Sequence, residues 1–115
     1  MINCENSERD GVEAMSKVRI IVSEPWGFVN PNTNNNDFYA DLVKSNFLVK
    51  NFRYTVIKIC KPFIYNGNDV HFLLLSNRHD KEDGCYNAFI VDLSSDLSSV
   101  KGDLKFTFIV DMQYI

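Results

Sequence analysis

The chain has 115 residues, of which 45% are hydrophobic and 23% charged. That length suits one domain, and that balance excludes both an intrinsically disordered chain and a membrane-spanning helix, which needs about 18 consecutive apolar residues. Twelve Lys and Arg against fifteen Asp and Glu leave a net charge of −3, without the basic excess by which most nucleic-acid binders neutralise phosphate.

Residues 1–16 hold Glu5, Glu8, Asp10 and Glu13 against Arg9, which accounts for the net charge and leaves residues 17–115 neutral. The stretch has neither a basic n-region nor an apolar h-region. It reads as a flexible acidic tail rather than a targeting signal, with Met15 a second candidate start. The expected location is therefore cytoplasmic, with Cys4, Cys60 and Cys85 reduced.

From residue 17 the pattern has period two, the mark of a half-buried strand whose side chains alternate between sheet faces. Residues 17–22 place Val18, Ile20 and Val22 on one face. Residues 23–28 (Ser-Glu-Pro-Trp-Gly-Phe) stop that strand at a proline and present two large aromatics, as a corner where Trp26 and Phe28 plug one barrel end or as an interface anchor at Trp26. Residues 30–37 are turn chemistry throughout. Residues 37–50 carry both a strand reading (Phe38, Ala40, Leu42) and a helical one (Tyr39, Val43, Phe47, with Asn36 as cap); their β-favouring composition selects the strand.

Residues 54–60 are apolar on both faces and read as a central strand. Pro62 removes a ladder donor and so marks a bulge, bend or edge. Asn66-Gly67 supplies the positive φ of a tight turn and predicts a hairpin over residues 63–75, with Val70, Phe72 and Leu74 facing one way. Residues 78–84 form a charged loop, 86–93 a further strand, and 94–103 a loop with one helical turn capped by Ser95. In the last segment Leu104, Phe106, Phe108, Val110, Met112 and Tyr114 alternate with more polar residues and predict one strand with a single apolar face. Residues 17–115 thus form one all-β domain, a small antiparallel barrel or sandwich of five to six strands with at most one short helix; the alternative is α+β, with a helix at 37–50.

No constellation of reactive residues has the spacing its chemistry needs. His71 and His79, the only histidines, share parity but are separated by a polar loop. His79, Asp80, Asp83 and Cys85 cluster without the paired spacing of a zinc site. Asp92 with Asp103 and Lys105 mimics a metal-dependent nuclease core, but without the surrounding βαβ pattern. Cys60 and Cys85 lie in apolar strands, where cysteines pack as small hydrophobes. The expectation is a protein with no catalytic residues, no cofactor and no metal.

The strand followed by Ser23-Glu24-Pro25-Trp26-Gly27-Phe28, and the later run Phe72-Leu73-Leu74-Leu75-Ser76-Asn77-Arg78-His79, resemble small cytosolic bacterial proteins similar to the immunity proteins of polymorphic and contact-dependent toxin systems. The resemblance implies a non-enzymatic inhibitor that binds a cognate toxin domain, of nuclease type, and blocks its active site. It carries no catalytic residue. An inhibitor of this kind works through exposed loops and a few aromatic or Arg anchors, which puts Trp26, Arg78, His79, Asp80, Glu82 and Asp83 forward as partner-facing. The expected partners include neither nucleic acid nor membrane, and the expected state is a monomer or weak homodimer. The alternative is an oligonucleotide-binding (OB-like) barrel that stacks single-stranded bases on exposed aromatics.

Overall fold

Alternation dictates strands, and six of them form. A computed structural model describes residues 16–77 and 85–115. It contains β1 (Ser16–Val22), β2 (Asp37–Val49), β3 (Phe52–Tyr65), β4 (Asn68–Asn77), β5 (Cys85–Leu93) and β6 (Val100–Tyr114). Each strand pairs antiparallel with the next, and β1 closes on β6, giving a barrel in simple sequential order. Residues 37–49 are strand throughout, which removes the helical alternative there. The only helical turn among the described residues is a 3-10 turn, Glu24–Trp26. The acidic tail lies outside the described residues except for Ser16, which opens β1.

The predicted hairpin is the β3–β4 connection, where Asn66 and Gly67 take φ of 51° and 80°. Positive φ at both central positions is the turn whose twist matches the flanking strands. Pro62 lies inside the break in β3–β4 pairing between Lys58 and Phe63, where its missing donor costs no ladder bond. In the loop before β2, Asn30 is buried. Its side chain donates to the Asp37 carbonyl at 2.9 Å and accepts from the Asn32 N–H at 2.9 Å. One Asn thus folds the Asn-rich loop back on the strand it precedes.

The barrel interior is filled. Val18, Ile20 and Val22 meet Phe38, Ala40, Ile57, Ile59, Leu73, Leu75, Ala88, Phe108, Val110 and Met112 in one buried cluster, as side chains fill the interior of small barrels. Phe28 plugs one end. Its ring lies 5.2 to 5.9 Å from those of Phe38, Phe63, Tyr65 and Phe108. Trp26 does not share this role, contrary to the corner-plug expectation, and is 38% exposed. Gly27 separates the two. It takes φ of 61°, and its N–H closes the 3-10 turn on the Glu24 carbonyl at 2.9 Å. That left-handed kink, which only glycine adopts cheaply, turns Trp26 outward and Phe28 inward.

A second apolar cluster lies on the outside. Leu73 and Leu74 are consecutive in β4 and therefore face opposite ways, yet both have 0% exposure. Leu74 packs with Phe47, Val56 and Val91, flanked by Val43, Val49, Tyr54, Phe72, Phe89, Leu93, Val100 and Leu104. Apart from Phe72 and Leu74 of β4, these residues come from two hairpins, β2–β3 and β5–β6, whose arms fold over β4. The two arms meet where the Lys44 ammonium, 5.6 Å from the Phe47 ring centre, donates to the Leu97 carbonyl at 2.6 Å.

Bulges send the arms outward. On β6, Ala88 faces Phe108 but Phe89 faces Phe106, so Thr107 is an extra residue. The Thr107 hydroxyl accepts the Ile90 N–H at 3.3 Å and donates to the Lys105 carbonyl at 3.0 Å, satisfying groups the ladder leaves over. Alternation therefore breaks at Thr107. Phe108, Val110 and Met112 point inside as expected, whereas Leu104 packs in the outer cluster and Phe106 stacks against that cluster's Phe89. The break in β3–β4 pairing, which puts extra β3 residues between Lys58 and Phe63, leaves Val70 inside while Phe72 and Leu74 join the outer cluster, against the expectation that the three share a face. Register breaks between Leu42 and Phe47 do the same for β2.

Candidate functional site

The arms leave an apolar band uncovered. From the 3-10 turn it runs as a chain of ring contacts: Trp26 to Phe106 at 5.3 Å, Phe106 to Phe89 at 5.7 Å, and Phe89 to Tyr54 at 5.9 Å. All three contacts are edge-to-face, the geometry favoured by ring quadrupoles. Phe106 is 48% exposed.

Tyr54 passes the band into a groove of about 800 Å³ between the arm tips. One wall is Phe47, Leu48, Val49, Lys50, Phe52 and Tyr54; the other runs from Ser98 to Leu104. Leu48 and Phe52 project from the first wall with 59% and 67% exposure. The tip is tight because Lys50 and Asn51 both take positive φ, 49° and 73°.

The opposite tip is held by an acid. Asp96 Oδ1 accepts from the Ser94 hydroxyl at 2.7 Å, from the Ser98 hydroxyl at 2.7 Å and from the Ser98 N–H at 3.1 Å. These bonds, the Ser94 hydroxyl first, lower its pKa from 3.8 to about 2. The Ser94 hydroxyl also accepts the Ser98 and Ser99 N–H groups. Ser94 and Asp96, not Ser95, therefore organise this connection, and it is a turn rather than a helix.

Of the predicted partner-facing residues, Trp26 stands at one end of the aromatic band. Arg78, His79, Asp80, Glu82 and Asp83 lie outside the described residues. The remaining candidates are dispersed. His71 is exposed on β4. Asp92, Asp103 and Lys105 do share one shallow depression with Asp69, but no three His, Cys, Asp or Glu among the described residues are grouped to hold a metal ion. Cys60 is disulfide-bonded, which corrects the expectation of three reduced thiols; Cys85 is a half-buried thiol.

Phe106, Phe89, Tyr54, Phe52 and Leu48 were not separable by sequence from the residues of the core. Strict alternation assigns Phe106 to the interior, and only the Thr107 bulge overrules it. Comparison with protein-family models, with curated proteins and with solved structures found no match. No helix among the described residues is long and apolar enough to cross a membrane.

Proposed function

We propose that this chain is a non-enzymatic binding protein that docks a partner protein on the band running from Trp26 to the arm groove. The observation that carries this reading is the continuous aromatic row, exposed at Trp26 and Phe106 and half-buried at Phe89 and Tyr54. Contiguous apolar surface rimmed by polar residues marks interaction sites, and aromatic rings give much contact area at little entropic cost. Lys50 and Asp103 at the groove rim supply charges of both signs, suited to fixing orientation rather than to gripping a polyanion.

Within that class, the resemblance of residues 23–28 and 72–79 favours an immunity protein that covers the active site of a cognate toxin domain of nuclease type. The test is protection of cells that express the toxin domain encoded beside this chain. Trp26→Ala combined with Phe106→Ala is expected to abolish both protection and complex formation. Trp26→Ala alone is expected to leave stability within about 0.5 kcal/mol, as for exposed side chains generally. Protection that survives the double substitution overturns the docking surface; absence of any protection by the native chain overturns the immunity reading.

The single-stranded nucleic acid alternative has less support. An oligonucleotide-binding fold is a five-stranded Greek key, whereas this barrel has six strands in sequential order. The rings of the row stand edge-to-face at 69° to 86°, so they cover one another's faces instead of offering parallel platforms for bases. As for compartment, the cytoplasmic expectation rested on the lack of a targeting signal and carried reduced cysteines with it, and a disulfide at Cys60 fits an oxidising compartment better. Alkylation of the native protein before reduction should leave Cys60 unlabelled; labelling there returns the cytoplasmic reading.

A further inference from the structure

We propose that the partner presents an acidic segment with apolar side chains to the β2–β3 arm, its carboxylates meeting Lys50, Arg53 and Lys58. This assignment rests on the docking reading above and adds the partner's chemistry to it. From residue 42 to residue 68 the chain carries five basic side chains, Lys44, Lys50, Arg53, Lys58 and Lys61, and no Asp or Glu. All five lie on the β2–β3 hairpin. Lys44 is occupied by the Leu97 carbonyl. The other four are exposed, and none of their side chains makes an ion pair or hydrogen bond with another described residue. The acids at the root of the hairpin are already committed, Asp41 to Lys17 and Asp37 to Arg19, each at 2.9 Å. The hairpin thus keeps a positive field with no counter-charge of its own.

These cations border apolar surface. Lys50 lines the groove with Leu48 and Phe52, Arg53 stands opposite Leu48 in the ladder, and Lys58 stands opposite Phe72 of the outer cluster. A ligand that satisfies both features carries carboxylates and apolar side chains together. The β5–β6 arm then selects among polyanions. It holds Asp92, Asp96 and Asp103 against Lys101 and Lys105, and Asp103 lines the far wall of the groove. A nucleic-acid strand or an anionic bilayer brings charge of one sign to both walls and is repelled at the second, whereas a protein segment can place its acids on one side only.

Two synthetic peptides of equal length test this, one of Glu and Leu in irregular order and one with Lys in place of every Glu. Each is titrated into the full chain and followed by amide chemical shifts. The Glu peptide is expected to shift residues 44–58 and to bind about tenfold more tightly than the Lys peptide, an advantage that shrinks with added salt. Lys50→Glu combined with Arg53→Glu is expected to invert the preference, an outcome that a damaged fold does not give. Equal binding of the two peptides, no binding of the Glu peptide, or a preference indifferent to the double substitution overturns the acidic-partner assignment and leaves the Trp26 and Phe106 test of docking as it stands. Tighter binding of an oligothymidylate or of phosphatidylserine vesicles than of the Glu peptide overturns it in favour of nucleic acid or lipid. Movement of the Lys50 and Arg53 amides when Glu5, Glu8, Asp10 and Glu13 are replaced by their amides, with no peptide present, makes the chain's own acidic stretch the occupant and overturns it too.

Discussion

Leu73 and Leu74 sit side by side in β4 and are equally buried, but their surroundings are built in different ways. Leu73 lies in the barrel interior, where most partners recur every second residue along regular strands. Leu74 lies outside, under a roof of two hairpin arms that reach it only because β2 and β6 slip register. The interior follows from patterning alone. The outer cluster follows from where patterning is interrupted, and the interruptions also leave Phe106, Phe52 and Leu48 facing solvent.

Several substitutions would break or sharpen this contrast. The largest expected effect is at the interior plug. Phe28→Ala removes a ring that touches four others and should cost about 3–5 kcal/mol in urea denaturation. Next come Leu73→Ala and Leu74→Ala, each expected to cost about 2–5 kcal/mol because both side chains are fully enclosed. A cost for Leu74→Ala below 1 kcal/mol, on the order of an exposed position, would mean that the arms do not close over β4 in solution. Thr107→Val keeps the shape of the bulge but deprives the Ile90 N–H of its acceptor. A loss of about 1–3 kcal/mol is expected, with chemical-shift changes concentrated at Phe89 and Phe106.

The smallest effect is at the tip of the second arm. Asp96 has its pKa depressed to about 2 in the folded chain, so the ionised form is the one the fold favours. Its contribution is complete above pH 3.8, the value of an unperturbed Asp, and is lost as pH falls through about 2. An NMR titration should show the Ser98 amide moving with that midpoint while interior amides stay still. A midpoint near 3.8 would mean that the serine hydroxyls do not hold the carboxylate.

The strands and the β3–β4 turn were legible because their signals are local: alternation at Val18, Ile20 and Val22, and the Asn66-Gly67 pair. Strand identity for residues 37–49 was legible from composition, despite a competing helical spacing. What was not legible depends on pairing between distant strands. Nothing next to Thr107 in the sequence distinguishes a bulge from one more polar residue on an outer face, because the bulge exists only relative to Ala88 and Phe89. The outward turn of Trp26 depends on a single glycine whose left-handed φ could have served a loop equally well. The aromatic row, and with it most of the candidate site, stayed hidden for these two reasons.

The closure of β1 on β6 has a mechanical consequence. Val18 lies opposite Tyr114, and the Ile115 N–H bonds to the Lys17 carbonyl at 3.2 Å, so the two strands that seal the barrel begin and end at the same corner. Tension applied at Ser16 and Ile115 therefore peels β1 from β6 one rung at a time instead of shearing the whole ladder at once. The seam that completes the cylinder is also the place where it tears first.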